Sequence, residues 1–331
     1  MASSDTAHPL TDLFGRAHTY LRVSVTDRCN LRCLYCHPGR TRAYRGEEVL
    51  SYDEIAALVR VFASLGIAKV RVTGGEPLLR PRIERLIEAL RGIAGLDTIA
   101  LTTNGVLLAR HARALKAAGL SRLNVSLDTL KPERFERIAL RNNHRAVIEG
   151  IDAALEAGFV PLRINVVVLA GVNDDELLDF VELARTRPFA VRFIEHMPFA
   201  CSLRRDARLV PYLAMRRQIE ERHRLTPAAA NGQVAREFRI DGFAGTIGFI
   251  TPMSHRFCGE CNRMRLLANG TLKRCLFAPA AVNLGAALRA GASEADLAAL
   301  IAADLRRKER ARPPDIARAA PHALSMVRIG G

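Results

Sequence analysis

The chain has 331 residues, 49% of them hydrophobic, with 49 Lys+Arg against 34 Asp+Glu and a formal net charge of +15. That length buries a full core without disulfide staples, as one large domain or two ordinary ones, and the apolar fraction excludes a disordered chain. No apolar run approaches the ~18 residues of a membrane span, and the first twenty residues, with Asp5, Asp12 and no apolar centre, show no secretory signal. The expectation is a soluble, cytoplasmic protein.

Residues 1–19 read as a loose N-terminal arm. From Tyr20 to about His196, β-rich runs at 20–26, 67–73, 98–103, 122–127, 162–168 and 190–195 alternate with amphipathic helical stretches near 53–65, 81–93, 107–118, 144–157 and 174–186. This alternation predicts right-handed βαβ crossovers and a parallel sheet. Six repeats in so short a span predict an incomplete (βα)6 barrel, since the eight-fold barrel typically takes ~250 residues. After Met197 the pattern changes. Residues 201–225 contain a basic helical segment, short strands follow at 238–241, 245–250 and 263–268, and helices at about 283–290 and 294–307. The predicted divisions are a barrel over 20–200, a second region over 201–320, and a tail over 321–331 that ends in Gly330-Gly331.

A parallel strand covered on both sides reads as a continuous apolar run. Here one face of each strand is polar. Arg22, Ser24 and Thr26 alternate with Leu21, Val23 and Val25; Lys69, Arg71 and Thr73 alternate with Val70 and Val72. Asn124, Ser126 and Asp128 continue the pattern, as do Arg163 and Asn165, and Arg192. Side chains alternate faces with period two, so one face packs on helices while the other lines the interior. An interior lined with arginine needs an anionic occupant, because unpaired buried charge is costly. Only five of the 49 cations are lysine. Diffuse charge of this kind is usually a solvated surface, but arginine on strand interiors is not diffuse.

An odd count of seven cysteines, without a secretory signal, points to metal binding or catalysis rather than a disulfide framework. Six form two groups. Cys29, Cys33 and Cys36 follow the first strand; Cys258, Cys261 and Cys275 lie in the second region. Either trio could belong to a zinc site if His37 or Cys201 closed it, since structural zinc takes four ligands. Three thiolates alone suit a cubane iron–sulfur cluster with one iron left open. Cys201 reads as a plain thiol.

The Cys-x3-Cys-x2-Cys spacing after a strand resembles the signature of the radical SAM superfamily. Tyr35 stands just before the third cysteine, and Thr73-Gly74-Gly75-Glu76-Pro77 ends the second strand like that superfamily's GGEP turn. The second group, Phe257-Cys258-Gly259-Glu260-Cys261-Asn262-Arg263-Met264-Arg265 with Cys275, is similar to the auxiliary-cluster signature of the GTP 3′,8-cyclase family, which opens molybdenum cofactor biosynthesis. The similarity extends to the stretch from Tyr20 to Asn30, to Thr102-Thr103-Asn104-Gly105, to Arg192-Phe193-Ile194-Glu195 and to Gly330-Gly331.

The resemblance implies two 4Fe-4S clusters, the first on Cys29, Cys33 and Cys36 and the second on Cys258, Cys261 and Cys275. It implies S-adenosylmethionine (SAM) contacts from Tyr35, Gly75, Ser126 and Met197, and GTP contacts from Arg22, Arg71, Thr102, Arg163, Arg263 and Arg265. Lys69 and Arg192 become further phosphate neighbours. SAM is then cleaved reductively to a 5′-deoxyadenosyl radical that takes the ribose 3′ hydrogen of GTP, and the 3′ carbon closes on C8 of guanine. The resemblance further implies a flavodoxin- or ferredoxin-type electron donor, a homodimer, and no membrane or nucleic-acid partner. By analogy the Gly-Gly tail threads toward the active site.

Three positions depart from the family pattern: Arg163 where lysine is usual, His37 where methionine is more common, and 138–143 without a glycine-containing turn. They leave room for a specialised paralogue. Two rivals remain. A radical SAM maturase acting on a peptide or other substrate would not require converging arginines. A zinc module binding RNA would need closed four-ligand sites and stacking aromatics, where the chain has 5% aromatics.

Overall fold

The computed structural model describes residues 10–36, 43–197, 209–228, 234–311 and 325–330. His37, Cys201 and Gly331 lie outside the described residues. In chain order the first part holds β1 (Tyr20–Ser24), α1 (Tyr52–Ser64), β2 (Lys69–Thr73), α2 (Ile83–Arg91), β3 (Thr98–Thr103), α3 (Leu108–Ala117) and β4 (Arg122–Ser126). Then come α4 (Pro132–Ala139), α5 (His144–Glu156), β5 (Leu162–Val168), α6 (Leu177–Thr186) and β6 (Phe189–Glu195). The remainder is α7 (Tyr212–Glu220), β7 (Thr226–Pro227), β8 (Arg236–Arg239), β9 (Thr246–Ile250), β10 (Arg263–Leu266), β11 (Leu272–Lys273), α8 (Leu284–Arg289), α9 (Glu294–Arg306) and α10 (Met326–Ile329).

All nine expected strands, six of them in the predicted barrel, are present, each within two residues of its expected start and end. The expected helices are present too, except that 174–176 is a 3-10 turn leading into α6 and that the basic segment expected in 201–225 is helical over Tyr212–Glu220, with 201–208 outside the described residues. None of the helices formed by described residues is long and apolar enough to cross a membrane.

The chain forms two compact units, interleaved in sequence: 1–28, 42–100 and 258–331 make one, and 29–41 with 101–257 make the other. Strand β3 crosses the division.

In the first unit the strand order is β11-β10-β1-β2. β1 pairs in parallel with both β10 and β2, and β11 is antiparallel to β10. Leu21, Val23, Val70, Val72, Met264 and Leu266 are fully buried. α1 supplies Ile55, Leu58, Val59 and Phe62 to the core at helical spacing. Its start is fixed by a capping box: Ser51 accepts from the Glu54 amide and Glu54 from the Ser51 amide. Residues 10–19 are not loose. Leu10 and His18 are fully buried, and the His18 amide donates to the Leu10 carbonyl at 2.8 Å.

The second unit carries β4-β5-β6-β9-β8-β7, with β4, β5, β6 and β9 parallel and β7 and β8 added antiparallel. α4 was not expected, nor was the left-handed Leu140 that ends it at φ 51°. Glycine normally takes this place because it has no Cβ to clash. The missing glycine at 138–143 is therefore a residue strained into a glycine's conformation, half-exposed at 41%.

Candidate functional site

In the first unit, register builds the site. Residue 20 of β1 stands beside Arg263 of β10 and Lys69 of β2, and residue 22 beside Arg265 and Arg71. Neighbouring strands lie about 4.8 Å apart and side chains two apart share a face, so two in-register rows form: Arg263–Tyr20–Lys69 and Arg265–Arg22–Arg71. Arg71 and Arg265 are buried. Arg22 is pushed down to about 10 by burial and then by Arg71 and Arg263, the mark of cations crowding one another. Arg265 is pushed well below the ordinary guanidinium range by burial, Arg22 and Arg263.

Tyr20 sits inside this cluster. Its hydroxyl accepts from Arg71 Nε at 2.6 Å, and the Lys69 ammonium lies 4.5 Å from its ring centre. Burial alone would raise the phenol, but Arg71, Arg22 and Lys69 bring it down to about 7 from 10.0. Because the folded value is the lower one, phenolate stabilises the fold increasingly as pH rises from about 7, and that contribution is lost as pH falls through 7. Tyr20→Phe removes it. Urea midpoints of wild type and Tyr20→Phe are expected to diverge between pH 6.5 and pH 9, wild type gaining; parallel pH profiles would refute this.

The segment 325–330 enters the same cluster. Val327 and Ile329 are buried, and the Gly330 carbonyl accepts from Arg265 Nη1 at 2.9 Å and Arg22 Nη2 at 3.5 Å. Gly330 has φ 76°, and a Cβ there would lie 2.5 Å from Thr73 Oγ1. Only glycine fits.

The turn after β2 is equally tight. Gly75 donates its amide to the Thr26 carbonyl at 2.7 Å, and a Cβ on it would sit 2.2 Å from the Arg28 carbonyl oxygen. The Glu76 side chain accepts from the Leu78 amide at 3.0 Å, capping the turn that follows.

Cys258, Cys261 and Cys275 belong to this unit, all partly exposed. The Cys261 thiol would be raised by burial but is brought to about 7 by Lys308 and Arg263. Sequence reasoning missed Lys308, whose ammonium lies 3.7 Å from Cys261 Sγ. Nothing in its local sequence marks it, since it stands in a run of surface-like charges.

The second unit holds Cys29, Cys33 and Cys36. Burial, Asp128 and the neighbouring Cys36 and Cys29 thiols push Cys33 well up. Tyr35 donates its hydroxyl to Asp128 Oδ2 at 2.6 Å, and Asp128 Oδ1 accepts from the Val167 amide at 2.9 Å. Burial lifts Asp128 to about 6. Cys33, Tyr35, Asn104, Ser126 and Asp128 line one cavity. Asn104 Nδ2 donates to Asn30 Oδ1 at 2.8 Å and lies 3.7 Å from Cys29 Sγ. Asp128 and Asn104 are additions to the expected site. The signal for Asp128 was its place in the Asn124–Ser126–Asp128 alternation running off the end of β4.

His196 and Met197 follow β6. His196 is buried with Nε2 unpartnered, and its ring meets Tyr35 edge-on at 6.5 Å. Arg163 is buried on β5 beside Asn124, and Thr102 is half-buried on β3. Arg192, a candidate phosphate neighbour, ion-pairs with Glu237, so its charge is already matched.

Among the described residues no three His, Cys, Asp or Glu side chains converge on a point that could hold one metal ion. Zinc requires such convergence, with thiolates about 2.3 Å from one centre. The thiolates of a cubane cluster bind separate irons, a donor set that each trio supplies.

Comparison with known proteins agrees with this chemistry. Residues 23–184 match the radical SAM superfamily and residues 189–313 match the family Molybdenum Cofactor Synthesis C. The mitochondrial GTP 3′,8-cyclase of Arabidopsis thaliana is 44% identical over 97% of this chain and 83% of its own length. The GTP 3′,8-cyclase of Moorella thermoacetica is 45% identical over 96% of this chain and 99% of its own. Human molybdenum cofactor biosynthesis protein 1 is 46% identical over 91% of this chain, which spans 48% of that protein. Among solved structures, SuiB of Streptococcus suis bound to S-adenosylmethionine aligns over 86% of this chain and 68% of its own with TM-score 0.59 at 15% identity, a likeness of fold alone. The chain belongs to the GTP 3′,8-cyclase family of the radical SAM superfamily.

Proposed function

We infer that this chain is a radical SAM lyase that converts GTP to 3′,8-cyclo-7,8-dihydro-GTP, the opening reaction of molybdenum cofactor biosynthesis. The observation that carries the reading is the pair of cationic rows on β10, β1 and β2, in the same unit as Cys258, Cys261 and Cys275. At an effective dielectric of about 20, one charge pair at ~4 Å is worth roughly 4 kcal/mol before desolvation. Guanidiniums also match phosphate in a bidentate way. A triphosphate would relieve the mutual repulsion that, after burial, lowers Arg22 and Arg265.

Cys29, Cys33 and Cys36 would hold one 4Fe-4S cluster and Cys258, Cys261 and Cys275 a second. The chemistry supplied by the first, with SAM, is one-electron hydrogen abstraction. The chain's own residues position and exclude water. Tyr35, Gly75, Ser126 and Met197 contact SAM in this reading, and the close fit of Gly75 against Arg28 leaves backbone rather than a side chain facing the ligand. Arg22, Arg71, Arg263 and Arg265 hold phosphate in this reading, and the family resemblance supports Thr102 and Arg163 as further GTP contacts. Arg163 carries its charge on a planar, forked head where lysine would present a compact point charge, which favours a pair of oxygens. The family resemblance also supports a flavodoxin- or ferredoxin-type reductant, a homodimer and a cytoplasmic setting. In this reading 201–320 is the auxiliary-cluster region.

The test is anaerobic reconstitution with iron, sulfide, reductant, SAM and GTP deuterated at the ribose 3′ position. Deuterium is expected in 5′-deoxyadenosine. No GTP-dependent 5′-deoxyadenosine, or no deuterium in it, overturns the reading.

A further inference from the structure

Lys308 is charged, 4% exposed, and lies just past α9, far in sequence from any cysteine. Each of its three N–H groups has an acceptor in reach. They are His18 Nε2 at 2.7 Å, the Arg263 carbonyl at 2.8 Å and Cys261 Sγ at 3.7 Å. The tautomer of His18 follows from its other nitrogen: Nδ1 lies 2.8 Å from the Arg16 carbonyl, which only accepts, so the proton is on Nδ1 and Nε2 offers a lone pair. The ammonium is therefore held in one orientation, with one N–H directed at sulfur.

A second device fixes the segments that bring these groups together. Arg16 is gripped by Asp12, with Nε to Oδ2 at 2.6 Å, both buried. Its remaining donors reach the Cys258 carbonyl at 2.6 Å, the Glu309 carbonyl at 2.8 Å and the Arg310 carbonyl at 2.9 Å. One guanidinium thus ties the N-terminal segment, the cysteine loop and the segment bearing Lys308. Neither Lys308 nor Arg16 has an evident role in holding phosphate, yet both are buried and fully engaged. Burying a lysine is costly unless it is matched by charge. A cluster bearing thiolates is such a match.

We propose that Lys308 is a positioning residue that directs an N–H at the Cys261 sulfur and thereby raises the reduction potential of the auxiliary cluster. This rests on the reading that Cys258, Cys261 and Cys275 hold that cluster. Reduction adds negative charge to the cluster, and a fixed cation beside a ligand sulfur stabilises the reduced form more than the oxidised one. Hydrogen bonds to the sulfurs and local charge are known determinants of such potentials.

The experiment is an EPR-monitored redox titration of the full-length reconstituted chain, with iron and sulfide assayed first. A wild-type chain with iron for a single cluster overturns the two-cluster reading, and with it this inference, before any potential is measured. With both clusters loaded, Lys308→Met, which keeps the apolar stem and removes the charge, is expected to lower the auxiliary potential. The expected change is tenfold or more in the reduction equilibrium, about 59 mV for one electron. Lys308→Arg is expected to stay close to wild type, and the first cluster's potential is expected not to move. An unchanged auxiliary potential in loaded Lys308→Met overturns the proposal. If that variant fails to hold its cluster, Lys308→Arg is compared with Lys308→Gln. A lower potential in the glutamine variant supports the proposal, and equal potentials overturn it.

Discussion

Cys33→Ala is expected to abolish GTP-dependent formation of 5′-deoxyadenosine while leaving the apo chain as stable as wild type. The loop that carries Cys33 does not depend on the thiol. The Arg32 amide donates to the Ala139 carbonyl and the Leu34 amide to the Ile138 carbonyl, both at 3.0 Å, and the Cys36 amide donates to the backbone carbonyl of residue 33. In the apo chain the thiol is pushed well up by burial, Asp128 and its two fellow cysteines, so it remains protonated and contributes little that a methyl group would not. With a cluster bound the position changes meaning. Losing even an outer-shell partner of a metal ligand typically costs about 10- to 100-fold, and losing the ligand should cost more than that. The checks are iron and sulfide per chain, 5′-deoxyadenosine produced with GTP, and the thermal unfolding midpoint without iron. Full activity with three cysteines reduced to two would end the assignment of this trio; a large drop in the apo midpoint would show the residue is structural.

The two sites differed in how far they could be read from sequence. The alternation Arg22-Val23-Ser24 and Lys69-Val70-Arg71 located the polar face correctly, because period two is a local property and parallel crossovers fix strand direction. Strand β10 was visible as a short run, but not its pairing with β1. Register is decided between segments more than two hundred residues apart, and no local pattern encodes it. Yet that register places Arg265 beside Arg22. Asp128 was half-legible, present in the alternation but without a role until Tyr35 was found to donate to it. Lys308 was not legible, because the sequence Arg306-Arg307-Lys308-Glu309-Arg310 reads as solvated charge and only burial sets one of the five apart. Helix α4 was overlooked for a related reason. Its mean character is polar, and its place is secured by long-range pairs, Arg134 meeting both Asp175 and Glu176.

Arg265 separates binding from stability most sharply. It is buried, and in the absence of an anion its charge is opposed by Arg22 and Arg263. It donates to the Gly330 carbonyl, which Arg22 also approaches. That carbonyl already marks a point where an oxygen can meet both guanidiniums. Replacing Arg265 with methionine keeps the packing of the stem and removes the repelled charge, so the apo unfolding midpoint is expected to hold or rise. GTP affinity moves the other way. A hydrogen bond to a charged partner is worth about 1.5–3 kcal/mol, which corresponds to a roughly 10- to 150-fold weaker dissociation constant. Arg265→Lys should recover part of the loss, since it restores charge without the fork. Equilibrium GTP binding and calorimetric unfolding on the same preparations decide the matter. If midpoint and affinity fall together, Arg265 is a structural cation held by the segment 325–330; if only affinity falls, the rows on β10, β1 and β2 exist for the phosphate, and their mutual repulsion is the cost of a site kept ready for it.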